Sequence, residues 1–175
     1  MSVDSGTTLE RFASSLSDLE VELTRTEPDG FEAAIAGIVR EPAVATPLPF
    51  DGVSLPDAID DEPTPAALEA ARTGVTAAAM GIANYGSVVL PATPDGAEQV
   101  SLFPDLHVAV LREGDLVADM PTAIARLGPW LRDGESAIVA TGPSATADMG
   151  ALVRGAHGPA EVHVVVLEGE TEVSQ

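Results

Sequence analysis

Ser136-Ala137-Ile138-Val139-Ala140, then Thr141-Gly142-Pro143-Ser144-Ala145-Thr146-Ala147-Asp148, and, after a loop at 154–159, Glu161-Val162-His163-Val164-Val165-Val166-Leu167 form the stretch that decides the fold. The two apolar runs have the length and β-branched content of buried strands. Between them the alanines predict a short helix from about Ala145 to Arg154. Gly155 suits its left-handed C′ position, and Arg154 suits its negative end. The reading is strand, polar turn, helix, strand. In open α/β sheets ligands sit outside the carboxyl ends of the strands. A helix start also offers free backbone N–H groups and a positive dipole end. Gly142, Pro143, Ser144, Thr146 and Asp148 are therefore candidate contacts to a small anionic ligand, with Asp148 the candidate catalytic group. The plainer alternative is that Ser144 or Thr146 only caps the helix and Asp148 only covers its first-turn N–H groups.

Working outward, the rest of the chain supports an α/β class. Leu9, Phe12, Leu16, Leu19 and Leu23 recur at 3, 4, 3, 4 and predict a helix over about 8–25. That stripe packs on its own domain or forms a seam for a partner. Asp29 and Glu32 resemble a capping box for a helix carrying Phe31, Ile35 and Ile38. Ala43–Leu48 reads as a short strand, 50–62 as loop, and Thr64-Pro65 as the cap and first turn of another helix. Residues 74–83 read as strand despite their alanines. Asn84-Tyr85-Gly86-Ser87 is a turn offering an amide, a phenol and a hydroxyl ahead of the strand Val88–Leu90, and joins the candidate ligand contacts. Leu106–Leu111 is a strand. Residues 121–131 are helical with Ile124, Leu127 and Leu131 inward. Strands and helices alternate, which implies a largely parallel sheet. Residues 1–40 are expected to be a helical segment of the same domain, 41–170 the α/β body and 171–175 a tail.

Composition removes several functions. The chain has 28 acids against eight bases, for a formal net charge of −20, and all eight bases are Arg. Such a Lys-free acidic surface over an ordinary apolar core suits a salt-loaded cytoplasm, so a halophilic source is expected. The protein should be more stable in molar salt than in dilute buffer; equal denaturation midpoints in both would refute this. Without Lys there is no Schiff base, and without Cys no thiolate catalysis or Cys-ligated iron–sulfur cluster. No cofactor is called for, and three scattered His make a weak case for a metal. A polyanion would be repelled, so nucleic acid is not an expected partner. No run of 18 apolar residues exists and Met1-Ser2-Val3-Asp4 is no signal peptide, so a cytoplasmic protein without membrane insertion is expected.

Two further features carry alternatives. Ser144, Asp148 and His157 invite a triad, but a nucleophile elbow needs Gly-x-Ser-x-Gly, and Thr146 stands at the second Gly. A helix over 145–154 would also carry His157 to the opposite edge of the sheet. Gly155-Ala156-His157-Gly158-Pro159 is then a structural turn, or a second ligand-facing edge or subunit contact through His157 and Gly158. His107 and His163 lie in strand patterns and read as packed or paired residues.

Four stretches occur in order: Tyr85-Gly-Ser-Val-Val-Leu90, Ser101-Leu-Phe-Pro-Asp-Leu-His-Val-Ala-Val110, Gly142-Pro-Ser-Ala-Thr-Ala-Asp-Met149 and Gly155-Ala-His-Gly-Pro-Ala-Glu-Val-His-Val164. Together they resemble the lactate-utilisation (LUD) domain of the LutC/YkgG family. The resemblance implies a fold like that of the ribose-5-phosphate isomerase, glucosamine-phosphate deaminase and CoA-transferase group. It also implies an accessory role beside two iron–sulfur partner proteins that oxidise L-lactate to pyruvate, with electron transfer left to those partners. Asn84 and Tyr85 depart from the acidic residue and Thr common there in the family, and Met149-Gly150 from its Ile-Glu. The alternatives are a stand-alone isomerase or acyl-transfer enzyme using Asp148 or Asp105 as base, or a regulatory scaffold using the Leu9–Leu23 stripe. A homo-oligomer is compatible with any of these.

Overall fold

A computed structural model describes residues 5–148, 151–155 and 157–169. The expected tail at 171–175 lies outside them. In chain order the elements are α1 (Ser5–Asp18), β1 (Glu22–Thr26), α2 (Phe31–Ile38), β2 (Ala43–Ala45), β3 (Ile59–Asp60), α3 (Pro65–Ala70), β4 (Thr73–Ala77), β5 (Met80–Ile82), β6 (Ser87–Pro91), α4 (Ala97–Leu102), β7 (Leu106–Arg112), β8 (Leu116–Val117), α5 (Met120–Arg132), β9 (Ala137–Thr141), β10 (Ala145–Asp148), β11 (Ala151–Arg154) and β12 (Glu161–Leu167).

Six strands form one parallel sheet in the order β1-β12-β7-β4-β2-β3. Its central strands are buried on both faces, which is why β7 and β12 read as continuous apolar runs. Ala109, Leu111, Val164 and Val166 face α1 and a second sheet, in one core with Phe12 and Leu16. Val108, Val110, Val165 and Leu167 face the other way, onto Phe31 and Ile35 of α2. The result is a three-layer α/β fold.

The second sheet, β8-β5-β6-β9, is mixed: β5 pairs β8 in parallel and β6 antiparallel, and β6 pairs β9 antiparallel. Ala123 and Leu127 of α5 cover its far face. The chain passes from the first sheet to the second at Ala78-Ala79. Ala78 N–H donates to Val110 O (2.7 Å) and Ala79 N–H to Val89 O (2.8 Å), one bond to each sheet.

Here the structure corrects the deciding stretch. β9 is not a strand of the parallel sheet, and among the described residues no helix follows it. Residues 145–154 form an antiparallel hairpin, with Ala145 opposite Arg154 and Asp148 opposite Ala151. Only Met149-Gly150 separates the two strands, and a two-residue connection containing Gly is a hairpin signal that the alanine content obscured. Met149 and Gly150 themselves lie outside the described residues.

Other differences are local. α1 ends at Asp18, Glu20 takes φ 59°, and Leu23 belongs to β1. The continued leucine spacing masked a strand rich in Thr. The capping box at Asp29 is not formed: Gly30 is the N-cap of α2, without a side-chain bond. In α5, Ile124 and Leu131 are exposed at 52% and 53%, while Ala123 and Leu127 point inward. The Thr64 cap does form, its Oγ1 accepting from Ala67 N–H at 3.2 Å. No described helix is long and apolar enough to cross a membrane.

Candidate functional site

The hairpin returns the chain to where it left β9. Ser144 N–H donates to Pro159 O (2.8 Å) and Gly155 N–H to Ser144 O (2.9 Å), closing residues 144–159 into a flap with a pinned base. Gly158 packs so closely that a Cβ there would lie 3.2 Å from Ser144 Cβ. The expectation that His157 lies across the sheet from Ser144 is therefore overturned; without the helix there is nothing to carry it away. The free N–H groups of a helix start are also missing, since the Ser144 N–H is bonded and Pro143 has none.

Beneath this base lies a cavity of about 240 Å³. The parallel sheet contributes His107, Val162 and Val164, and the second sheet Val88, Leu90, Ile138 and Ala140. Leu16 closes one side, Ser101 and Leu102 of α4 another, and Gly142, Pro143, Ser144, His157, Gly158 and Pro159 form the base of the flap. The cavity meets the parallel sheet near the amino-terminal halves of β7 and β12, not outside the carboxyl ends expected for an open sheet. The second sheet, absent from a simple doubly wound fold, provides its other wall.

Of the candidate contacts, Gly86, Gly142, Pro143, Ser144, His157 and Gly158 line this cavity. Asn84, Tyr85 and Ser87 do not. Asn84 Oδ1 accepts from Arg11 Nη1 at 3.1 Å, Tyr85 is 52% exposed, and Ser87 Oγ lies 2.7 Å from Thr141 Oγ1. Gly86 is where glycine is required, with φ 64° and a Cβ that would meet the α1 backbone at 3.0 Å. Thr146 and Asp148 are in β10, and their side chains lie outside the description.

Polar groups are few. Among the described residues no Arg, Asp or Glu lines the cavity, so neither the cation that would neutralise a buried anion nor a described carboxylate base is present. Asp105 is not in the wall. Pro143 and Val162 also border a polar recess of about 430 Å³ holding Arg40, Glu161 and His163. There Arg40 donates in a fork to Glu161 (2.7 and 2.6 Å). That bond holds the Glu161 carboxyl below its usual range, and it raises Arg40. An anion would have to displace a carboxylate to use this guanidinium. His163 bonds Thr24 Oγ1 at 2.8 Å, and burial lowers its pKa, with Glu22 opposing.

His107 is the buried ionisable group described in the apolar wall. It is 2% exposed, and its Nε2 lies 2.8 Å from Thr76 Oγ1. The expectation of a packed, paired histidine holds, but the residue also lines the cavity. In the strand alternation it shares a face with Ala109 and Leu111, the face turned toward the second sheet; that placement was readable, the cavity was not. Burial pushes its pKa down to about 4. Between that value and the unfolded value near 6.5 the unfolded chain binds the extra proton, so this residue's contribution to stability declines as pH falls through that window. The slope should reach up to about 1.4 kcal/mol per pH unit. Thr76→Val/His107→Leu removes both partners and should be free of it. Chemical denaturation of both proteins from pH 7.5 to 4.5 checks this; a stability difference constant with pH would contradict it.

A family model for the LUD domain matches residues 10–167. The chain belongs to the LUD domain family. It is 30% identical over 125 residues, 69% of its length, to a protein of Deinococcus radiodurans named lactate utilization protein C. The match spans only 58% of that protein. A crystal structure of a DUF162 family protein from Deinococcus radiodurans superposes with a TM-score of 0.74 at 21% identity, covering 95% of this chain and 99% of the other. That likeness shows the shared fold. In this LUD domain, all four motif stretches that pointed to the family converge on one cavity. The first meets it through Gly86, Val88 and Leu90, the second through Ser101, Leu102 and His107, the third through Gly142, Pro143 and Ser144, and the fourth through residues between His157 and Val164.

Proposed function

We propose that this LUD domain works as a LutC-like accessory component of L-lactate, or more generally 2-hydroxy acid, utilisation, and that it binds a small organic acid in the cavity under the flap. The observation that carries the proposal is the convergence of the four family stretches on that cavity, together with the likeness to lactate utilization protein C. Gly86, Gly142, Pro143, Ser144, His157 and Gly158 are the contacts assigned to the ligand. Asn84, Tyr85 and Ser87, in the turn beside Gly86, and Thr146 and Asp148, in β10 above the base, are the further contacts proposed.

Electron transfer belongs to iron–sulfur partners in this scheme, because the chain has no Cys to hold a cluster. The test is genetic and biochemical. Deleting the gene should abolish growth on L-lactate, and the native protein isolated in molar salt should bring iron–sulfur proteins with it. Unimpaired growth on L-lactate would overturn the pathway assignment.

A further inference from the structure

Two buried polar side chains are described in the cavity wall: Ser101, whose hydroxyl donates to Glu98 O at 2.7 Å, and His107, whose ring has a second nitrogen to offer. The hydrogen bond of His107 uses Nε2. Among the described residues Nδ1 has no partner, and no fully buried side-chain nitrogen or oxygen lacks one. His107 lines the cavity, so Nδ1 is the ring nitrogen left to meet a ligand there. The walls beside it are hydrocarbon: Leu16, Val88, Leu90, Ile138 and Val164. The hydroxyl of Ser144 and the exposed ring of His157 lie at the flap base.

We propose that the cavity selects 2-hydroxy or 2-oxo acids whose side chain is longer than the methyl of lactate, with the C2 oxygen on His107 Nδ1, the alkyl chain on the apolar wall and the carboxylate at the hydrated flap base. This rests on the small-acid reading above and names the substrate class within it. The Thr76–His107 pair suits both oxidation states. With the proton on Nε2, that nitrogen donates to Thr76 Oγ1 and Nδ1 accepts from an alcohol. With the proton on Nδ1, the Thr76 hydroxyl donates to Nε2 and Nδ1 donates to a ketone oxygen. Burial keeps the ring neutral, which both arrangements require. The lack of a lining Arg places the carboxylate outside the apolar part, where water still reaches it.

Calorimetric titration of the wild-type protein in molar salt tests this, using L-lactate, 2-hydroxybutyrate and 2-hydroxyisocaproate, their 2-oxo counterparts, and the simple carboxylic acids lacking the C2 oxygen. Affinity should rise about fourfold per added methylene until the cavity is full. The C2 oxygen should be worth roughly two- to tenfold, in both oxidation states. Thr76→Val/His107→Leu should erase the C2 preference and keep the chain-length trend. If that variant does not fold, the wild-type series still decides. Binding with no dependence on the C2 oxygen, or lactate binding as tightly as its longer homologues, overturns the selectivity and leaves the small-acid reading standing. No binding by any acid overturns both.

Discussion

Phe12→Ala is expected to cost about 3–5 kcal/mol of folding free energy, the range for emptying a fully buried aromatic site. Phe12 is wholly buried in the core that joins α1 to both sheets, with Leu9, Leu16, Leu111 and Val166. Its ring is the knob that fits over Gly81, where a Cβ would come within 3.1 Å of Phe12 Cζ. The ring cannot be replaced by a small shift of α1, because Gly86 already holds the helix backbone close at its other end. This also decides how the leucine stripe is used. Leu9, Phe12 and Leu16 are spent on the protein's own core, so α1 has no apolar seam left for a partner along those positions. Denaturation in molar salt measures the loss; a change below about 1 kcal/mol would mean α1 is only loosely docked.

Gly74→Ala is the second large effect. Gly74 lies in β4 opposite His107, and a Cβ there would overlap the carbonyl oxygen of Val100 and sit 3.0 Å from Pro104 Cγ. The obstacle is backbone, so α4 must move off the sheet. The expected cost is about 2–3 kcal/mol, the upper part of the range for overpacking a close-packed core. Because α4 brings Ser101 and Leu102 to the cavity, ligand affinity should fall together with stability. Gly37→Ala is the control: nothing lies within 4 Å of a Cβ at that helical position, so it should gain up to about 1 kcal/mol. Equal effects of the two substitutions would contradict the packing described.

Much of the fold was legible because the buried parallel strands are written plainly. β7 and β12 are runs of Val, Leu and Ala with a single polar residue each inside, and only strands covered on both faces need that pattern. The Thr64 cap and the turn at Asn84–Ser87 were legible because their bonds are local. The second sheet was not, because β5, β6 and β9 are short and their pairing is decided over distances of up to about fifty residues. The hairpin was misread because alanine favours helix in isolation, while tertiary pairing sets the outcome here. The site follows the same division. Gly142 to Ser144 and His157-Gly158 were found as polar, glycine-bearing turns, but the reason for their proximity was not the one expected. Leu16, Val88, Leu90 and Val164 carry no signal beyond hydrophobicity, so nothing local marks them as cavity walls rather than core.

The most direct test of the account is to locate the ligand. In a protein with isotope-labelled Leu and Val methyl groups, a 2-hydroxy acid added in molar salt should shift the resonances of Leu16, Val88, Leu90 and Val164 together. Val75, Val108 and Val165, on the opposite face of the parallel sheet, should stay still. Shifts confined to surface residues, or none at saturating acid, would contradict the claim that the cavity beneath the flap is the working site.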